Sequence, residues 1–313
     1  MHYLPDCCEY LAEVAATGLA AYIFAKVFLN TWNFLTVYFL GSTPQFNKYG
    51  QWSVVTGATD GIGLSFAKQL AKAGQNIVLI SRTEEKLKNV AELIKKEYGV
   101  STKVIAVDFS SDSIYEKISL GLEGLDIGTL VNNVGLGFPH PEYFHSLSDL
   151  SSFGPKMVNV NMLSVVRMTE LIIPGMVAKK KGIILNISSA SALQPTPLLS
   201  LYSASKQFVD CFSKSLSAEY RSKGIIVQCV MPYFVTTKLS KIRKSSLFIP
   251  TPDNYVKSTM KTIGRTNRTY GCATHALQAA VYGCVPESLY FFMSLKTLGG
   301  IRKRALKKLA KSN

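Results

Sequence analysis

From about residue 14 to residue 40 the chain reads VAATGLAAYIFAKVFLNTWNFLTVYFL, an apolar run with Lys26 as its only charge. A membrane span needs about 20 mainly apolar residues, so the length is available. Tyr22, Trp32 and Tyr38 suit the two interfaces. The next stretch, GSTPQFNKYGQ, is polar, with a proline and two glycines, and predicts a linker. Beyond it, short apolar runs alternate with amphipathic stretches. WSVVTG, NIVLISR, KVIAVDF, GTLVNNVG, GIILNISS and GIIVQCVMP read as buried strands. GIGLSFAKQLAKAG, ended by Gly74, and EEKLKNVAELIKKEYG read as helices. Strand, helix, strand at this rhythm predicts an α/β fold, a doubly wound parallel sheet.

Past Lys238 the rhythm stops. KLSKIRKSSLFIPTPDNYV has two prolines and scattered charge. In an open α/β sheet the ligand sits beyond the carboxyl ends of the strands, so this insert is expected to be an irregular flap on the substrate side. Residues 276–298 are apolar again and read as a helix that covers the site or touches the membrane. The expected organisation is an anchor and linker over 1–47, an α/β domain over 48–237, and an insert, apolar helices and basic tail over 238–313.

Composition sharpens this. The 313 residues suffice for one large α/β domain with extensions, and 47% are hydrophobic, high for a plainly soluble protein. Net charge is +15, from 35 Lys and Arg against 20 Asp and Glu. KTLGGIRKRALKKLAKSN, from Lys296 to Asn313, holds seven basic residues and no acid. It reads as a solvated tail or as a surface for acidic lipid headgroups. No nucleic-acid module accompanies the charge, so DNA and RNA are not expected partners. Asp6, Glu9 and Glu13 precede the apolar segment, while Lys48 and a basic domain follow it. The positive-inside tendency then places the bulk in the cytosol, and a cleaved signal peptide is not expected. The six cysteines form no CxxC and the four histidines no HxxxH. The chain therefore reads as a reduced, cytosol-facing protein without a metal site.

The candidate chemistry lies in three places. TGATDGIG, Thr56 to Gly63, runs from the first strand straight into a helix, with Gly57, Gly61 and Gly63 in GxxxGxG spacing. Glycines let the backbone approach a pyrophosphate, and the helix N-terminus offers free N–H groups. About 20 residues on, the second strand ends in Ser81 and Arg82. An NAD enzyme places an acid there, whereas a guanidinium matches the 2′-phosphate of NADP, so NADP(H) is the expected cofactor. Third, YSASK puts Tyr202 and Lys206 on one helical face. Spacing alone assigns them no chemistry, because Tyr22 and Lys26 in YIFAK share it.

These motifs occur together and in order: TGATDGIG, Asp108 after the third strand, NNVG from Asn132 to Gly135, Asn161 in NVNMLS, ISS from Ile187 to Ser189, YSASK, and PYFVTT from Pro232 to Thr237. Over roughly Gln51 to Leu239 the chain resembles the short-chain dehydrogenase/reductase family, whose fold is of Rossmann type. The resemblance implies that Tyr202 is the general acid in carbonyl reduction, with its pKa lowered by Lys206. It implies that Lys206 also holds the nicotinamide ribose, that Ser189 donates a hydrogen bond to the substrate oxygen, and that Asn161 holds a water linking Lys206 to solvent. Gly57, Thr59, Asp60, Gly61, Ile62 and Gly63 would form the phosphate turn. Asp108 and Asn133 would line the adenosine side and Thr237 the nicotinamide side. Tyr233 departs from the family pattern, which usually has glycine there.

The apolar N-terminus, PYFVTTKLSKIRK and the basic tail resemble more narrowly the membrane-bound 17-beta-hydroxysteroid dehydrogenases. That likeness implies an endoplasmic reticulum enzyme that reduces a long-chain 3-oxoacyl-CoA in fatty-acid elongation, or alternatively a 17-ketosteroid. A catalytically silent membrane scaffold is the reading from a different class. The expected partners are an acyl-CoA or steroid substrate, membrane lipid, a fatty-acid elongation complex and a second copy in a homodimer. Lys238, Lys241, Arg243 and Lys244 read as a cluster for CoA phosphates or as a solvated helix face. Lys307, Lys308 and Lys311 only partly meet a dilysine retrieval pattern.

Overall fold

The computed structural model describes residues 3–147 and 149–311, with side chains from residue 9 onward. Asp6, one of the acids before the apolar run, and Cys7 and Cys8 lie outside the described side chains. The chain divides into two compact units, Met1–Gly41 and Ser42–Asn313.

The first unit is a single helix, α1 (Tyr3–Tyr38). Its 30-residue stretch Glu9–Tyr38 is long and apolar enough to cross a membrane, and its most apolar window has no buried residue. At 1.5 Å per residue that stretch spans about 45 Å, against a hydrocarbon core of about 30 Å. The helix therefore has length to spare at both interfaces.

The second unit is built on a seven-stranded parallel sheet: β1 (Trp52–Thr56), β2 (Asn76–Ser81), β3 (Thr102–Ala106), β4 (Ile127–Asn132), β5 (Gly182–Ile187), β6 (Ile225–Val230) and β7 (Arg268–Thr269), in the order β3-β2-β1-β4-β5-β6-β7. The central strands are continuous apolar runs because helices cover both their faces. On one face, α2 (Gly61–Lys72) and α3 (Glu84–Tyr98) contribute Phe66, Leu70, Leu87 and Ile94 to one core. On the other, α4 (Tyr115–Leu122) brings Ile118 to a second core. After α5 (Leu150–Val158) the helix widens through a π segment, Asn159–Leu163, into α6 (Ser164–Ala178). Met168 and Ile172 of α6 and Leu216 of α7 (Ser200–Tyr220) complete that second core.

The segment beyond Lys238 opens irregularly but returns to the core. Thr251 caps α8 (Pro252–Met260), its hydroxyl accepting from the amide of Asn254 at 3.3 Å. Tyr255 and Val256 of α8 are fully buried with Phe66 of α2, and the Ser65 hydroxyl donates to Asp253 at 2.5 Å. β7 then pairs with β6. The change at residue 238 is thus a change of local pattern, while packing continues across it. Residues 276–298, read as one helix, belong to two: α9 (Ala273–Gly283) and α10 (Glu287–Leu309). Pro286 directly precedes α10, and the residue before a proline is pushed away from helical backbone.

Candidate active site

The strand order reverses between β1 and β4, so their connections diverge and leave a crevice at the carboxyl ends. Thr56 fixes this point. Its hydroxyl accepts from the amides of Asn133 and Val134, at 2.9 and 3.0 Å, and donates to the Val131 carbonyl at 3.3 Å.

Gly57 leaves β1 with φ at +65°, where a side chain is strained. A Cβ added at Gly63 would stand 2.3 Å from the Gly57 carbonyl oxygen. The turn and the first turn of α2 can approach this closely only as glycines. Asp60 caps α2, its Oδ1 accepting from the Gly61 amide at 2.7 Å, and its other oxygen pairs with Lys238. The methyl of Thr237 faces Gly61, 3.1 Å from where a Cβ would be. The result is a backbone cradle at a helix N-terminus, which fits a pyrophosphate. Thr59 ties the cradle to the end of β2 through a hydroxyl pair with Ser81 at 3.1 Å, and Ile62 is half-buried in the first turn of α2. Asn133, expected on the adenosine side, braces the turn: its amide donates to the carbonyls of Thr56 and Gly57, at 2.9 and 3.3 Å.

Arg82 follows β2 and Asp108 follows β3. Their charges stand 4.0 Å apart, with the side chains 74% and 46% exposed. So exposed a pair is worth at most about 1 kcal/mol. Asp108 therefore holds the Arg82 guanidinium only weakly.

Tyr202 and Lys206 lie one turn apart on α7, with the Lys206 ammonium 5.9 Å from the Tyr202 ring centroid. Tyr22 and Lys26 reproduce this geometry at 5.8 Å, but Tyr22 is 61% exposed on α1. Around Tyr202 the setting differs. Ser189 lies two residues past the end of β5 and caps the short turn Ala190–Ala192, its hydroxyl accepting from the Ser191 amide at 3.2 Å. The Ala190 amide is held by the Pro232 carbonyl at 2.9 Å, which joins the loops after β5 and β6. Lys206 is buried and donates to the Ile187 carbonyl at 3.1 Å.

Burial pushes the Tyr202 phenol above its ordinary value, and hydrogen bonding with Ser189 pulls it back down. Burial also pushes Lys206 down, to about 8, with the Cys229 thiol acting in the opposite direction. Both shifts favour the neutral form of a desolvated group. A neutral phenol is the form that can donate a proton.

Asn161 sits in the π segment, 1% exposed, and clamps the backbone of Leu136. Its Oδ1 accepts from the Leu136 amide at 2.7 Å; its Nδ2 donates to the Leu136 carbonyl at 2.9 Å and to the Ser205 hydroxyl at 3.0 Å. Its carbonyl oxygen keeps a second lone pair. Gly135 lies between it and the lysine: a Cβ there would be 3.4 Å from Lys206 Nζ and 3.7 Å from Asn161 Oδ1.

Tyr233, the departure from the family pattern, packs with Tyr282 and His275, both at 5.8 Å between ring centroids, and with Tyr270 at 6.4 Å. Burial lowers His275 to about 4, so it is neutral, and its Nδ1 accepts from the Tyr233 amide at 3.3 Å. The aromatic side chain thus anchors the loop to α9. The basic cluster after it is divided: Lys238 serves Asp60, Lys241 donates to the Pro139 carbonyl, and Arg243 and Lys244 are exposed.

The sequence assigns no role to Thr56, Gly135 or His275. Thr56 and Gly135 stand at the ends of motifs whose expected chemistry rests on their neighbours. A single histidine on an apolar helix carries no local signal.

A reversed parallel sheet, a glycine cradle at the switch point and a Ser-Tyr-Lys-Asn constellation define a class. The chain belongs to the short chain dehydrogenase family, whose family model matches residues 51–246, and it is an oxidoreductase of that family. Among its relatives is the very-long-chain 3-oxoacyl-CoA reductase of Anas platyrhynchos, 54% identical over 263 residues, 84% of each chain. That of Mus musculus is 46% identical over 313 residues, the whole of both chains. A solved short-chain dehydrogenase from Sphingobium yanoikuyae, in complex with NADPH, has the same fold: TM-score 0.63, 24% identity, 74% of this chain and 94% of that one.

Proposed function

We propose that this enzyme reduces a long-chain 3-oxoacyl-CoA to the 3-hydroxyacyl-CoA with NADPH. The observation that carries the reading is identity of 46–54% over 84–100% of the chain to reductases of that name. The cradle of Gly57, Gly61 and Gly63 fits the cofactor's pyrophosphate, and Arg82 fits its 2′-phosphate. When bound, NADPH supplies the hydride. Tyr202 gives its phenolic proton to the substrate carbonyl oxygen. Ser189 donates a hydrogen bond to the same oxygen and so stabilises the charge that develops there. Lys206 returns a proton to the tyrosine and holds the ribose. Asn161 keeps the Leu136 backbone and the π segment in place and offers its free lone pair to a water beside Lys206. Asp108 borders the adenosine and Thr237 the nicotinamide.

The reading extends to the cell. α1 anchors the enzyme in the endoplasmic reticulum membrane with the catalytic unit facing the cytosol, and the enzyme works beside the other enzymes of fatty-acid elongation, as a homodimer. The test is turnover of a long-chain 3-oxoacyl-CoA and oestrone, side by side, with the full chain in a bilayer and NADPH. The acyl-CoA is expected to be the better substrate by kcat/KM. Turnover of the steroid alone would overturn the assignment in favour of 17-ketosteroid reduction.

A further inference from the structure

Four strands of the sheet carry a polar residue at one level. In register across it stand Asn132 of β4, Asn186 of β5, Cys229 of β6 and Arg268 of β7. The first three are buried, at the carboxyl ends of their strands, where the loops of the site begin. Asn132 donates to the Asn186 side-chain oxygen at 2.9 Å, and Asn186 donates to the Ser213 hydroxyl of α7 at 3.0 Å. The far end of the row reaches the same helix. Arg268 Nε stands 3.1 Å from one carboxylate oxygen of Asp210 on α7, and the Lys214 ammonium stands 2.8 Å from the other. Arg268 Nε also donates to the Met231 sulfur at 2.9 Å, directly before Pro232.

Asp210 lies one turn past Lys206, as Lys206 lies one turn past Tyr202, so the three share one face of α7. The Asp210 side chain is only 7% exposed. A carboxylate so placed is costly unless it is paired. Four groups face it: Lys214 on α7, Arg268 on β7, the Cys229 thiol on β6 and the Tyr270 phenol just past β7. Burial pushes the thiol up to about 12 and the carboxylate adds to the rise, so the thiol stays protonated. The same thiol acts on Lys206. It therefore neighbours both the ammonium of the site and the ion pair one turn on.

Apolar residues of similar volume would hold α7 to the sheet as firmly as a buried ion pair does. What the pair adds is a fixed geometry and a pair of charges one turn from Lys206. Arg268 also joins the catalytic helix to the loop after β6, because Met231 precedes the carbonyl of Pro232 that holds the Ala190 amide. Displacing reacting groups by about 1 Å costs roughly 100-fold in rate.

We propose that Asp210 and Arg268 are positioning residues for the reduction. Their contact fixes α7 to the edge strand β7 and so sets where the Tyr202 phenol and the Lys206 ammonium stand. Neither residue touches substrate or cofactor; both act through Lys206. The inference rests on the proposed roles of Tyr202 and Lys206, and not on which ketone is reduced.

The experiment compares the full chain in a bilayer with Asp210→Asn, Arg268→Gln and the double variant, using whichever ketone the parent reduces, acyl-CoA or steroid. Single turnovers give the hydride-transfer rate per NADPH-binding enzyme, so unfolded protein does not count. Each single variant should lose about 10–100-fold in that rate with NADPH affinity kept. The alkaline limb of the pH profile should move in opposite directions. It should fall in Asp210→Asn, where Lys206 loses a negative neighbour, and rise in Arg268→Gln, where it loses a positive one. The double variant leaves neither charge of the pair without its partner, so it keeps the test open if a single variant does not fold. It should return the limb toward the parent's pH and remain slow. Single variants at the parent's rate, limbs that move in the same direction, or a double variant as fast as the parent would overturn the proposal. A parent without an alkaline limb near pH 8 would instead remove Lys206 from the proton path; the rate losses alone would then decide the positioning role.

Discussion

A phenol and an ammonium four residues apart occur twice in this chain with almost the same geometry, 5.9 and 5.8 Å. Only the surroundings separate them, and the surroundings are what substitutions can probe. Burial sets Lys206 at about 8, so its proton is held below that pH and lost above it. Reduction that draws on this proton should fall as pH rises through about 8. A profile that stays level until about 10, where an ordinary phenol ionises, would remove Lys206 from the proton path. Gly135 leaves the space between Lys206 and Asn161 open. Gly135→Val should therefore cut turnover sharply with little change in NADPH affinity, read by steady-state kinetics and cofactor titration. Arg82→Ala should weaken NADPH binding by about 10–100-fold, the loss of one charge-assisted hydrogen bond, and leave NADH nearly unchanged. Equal losses for the two cofactors would count against a 2′-phosphate site. YSASK and ISS were readable because their spacing is local. Gly135 was not, because its importance comes from two side chains 26 and 71 residues away that only the fold brings beside it.

At the scale of elements, stretches with a strong local pattern are legible and those without one are not. The runs that form β1 and β2 stand out as unbroken apolar segments, and α3 carries enough turns to show its period. β7 has two residues and no period at all, and α8 is a polar nine-residue helix whose burial depends on α2. The π segment is invisible to a helical pattern because its five residues are too few to display a wider turn. Element packing has a consequence for stability through His275 on α9. Its folded value of about 4 lies below the ordinary 6.5. Between those values the unfolded chain binds the proton more readily, so this histidine's contribution is full above about 6.5 and is lost as pH falls toward 4. Melting temperatures measured across that range should fall on acidification, and fall less in His275→Gln. Parallel curves for the two proteins would show that His275 titrates normally.

For the whole molecule, the α/β architecture follows from alternation, and the long apolar helix α1 from a single run broken only by Lys26. The break assigned at residue 238 is where local pattern stops, yet α8 and β7 return the chain to the same sheet and core. A change in local regularity does not mark a domain boundary when tertiary contacts continue across it. The proposed reaction couples NADPH oxidation to reduction of a 3-oxo group through one phenol. The most direct test measures 3-hydroxyacyl-CoA formed per NADPH consumed by the full chain in a bilayer, for the parent and for Tyr202→Phe. The account predicts one product per NADPH for the parent, and no product from a variant that still binds NADPH. Undiminished turnover by Tyr202→Phe, or NADPH consumed by the parent without 3-hydroxyacyl-CoA, would contradict it.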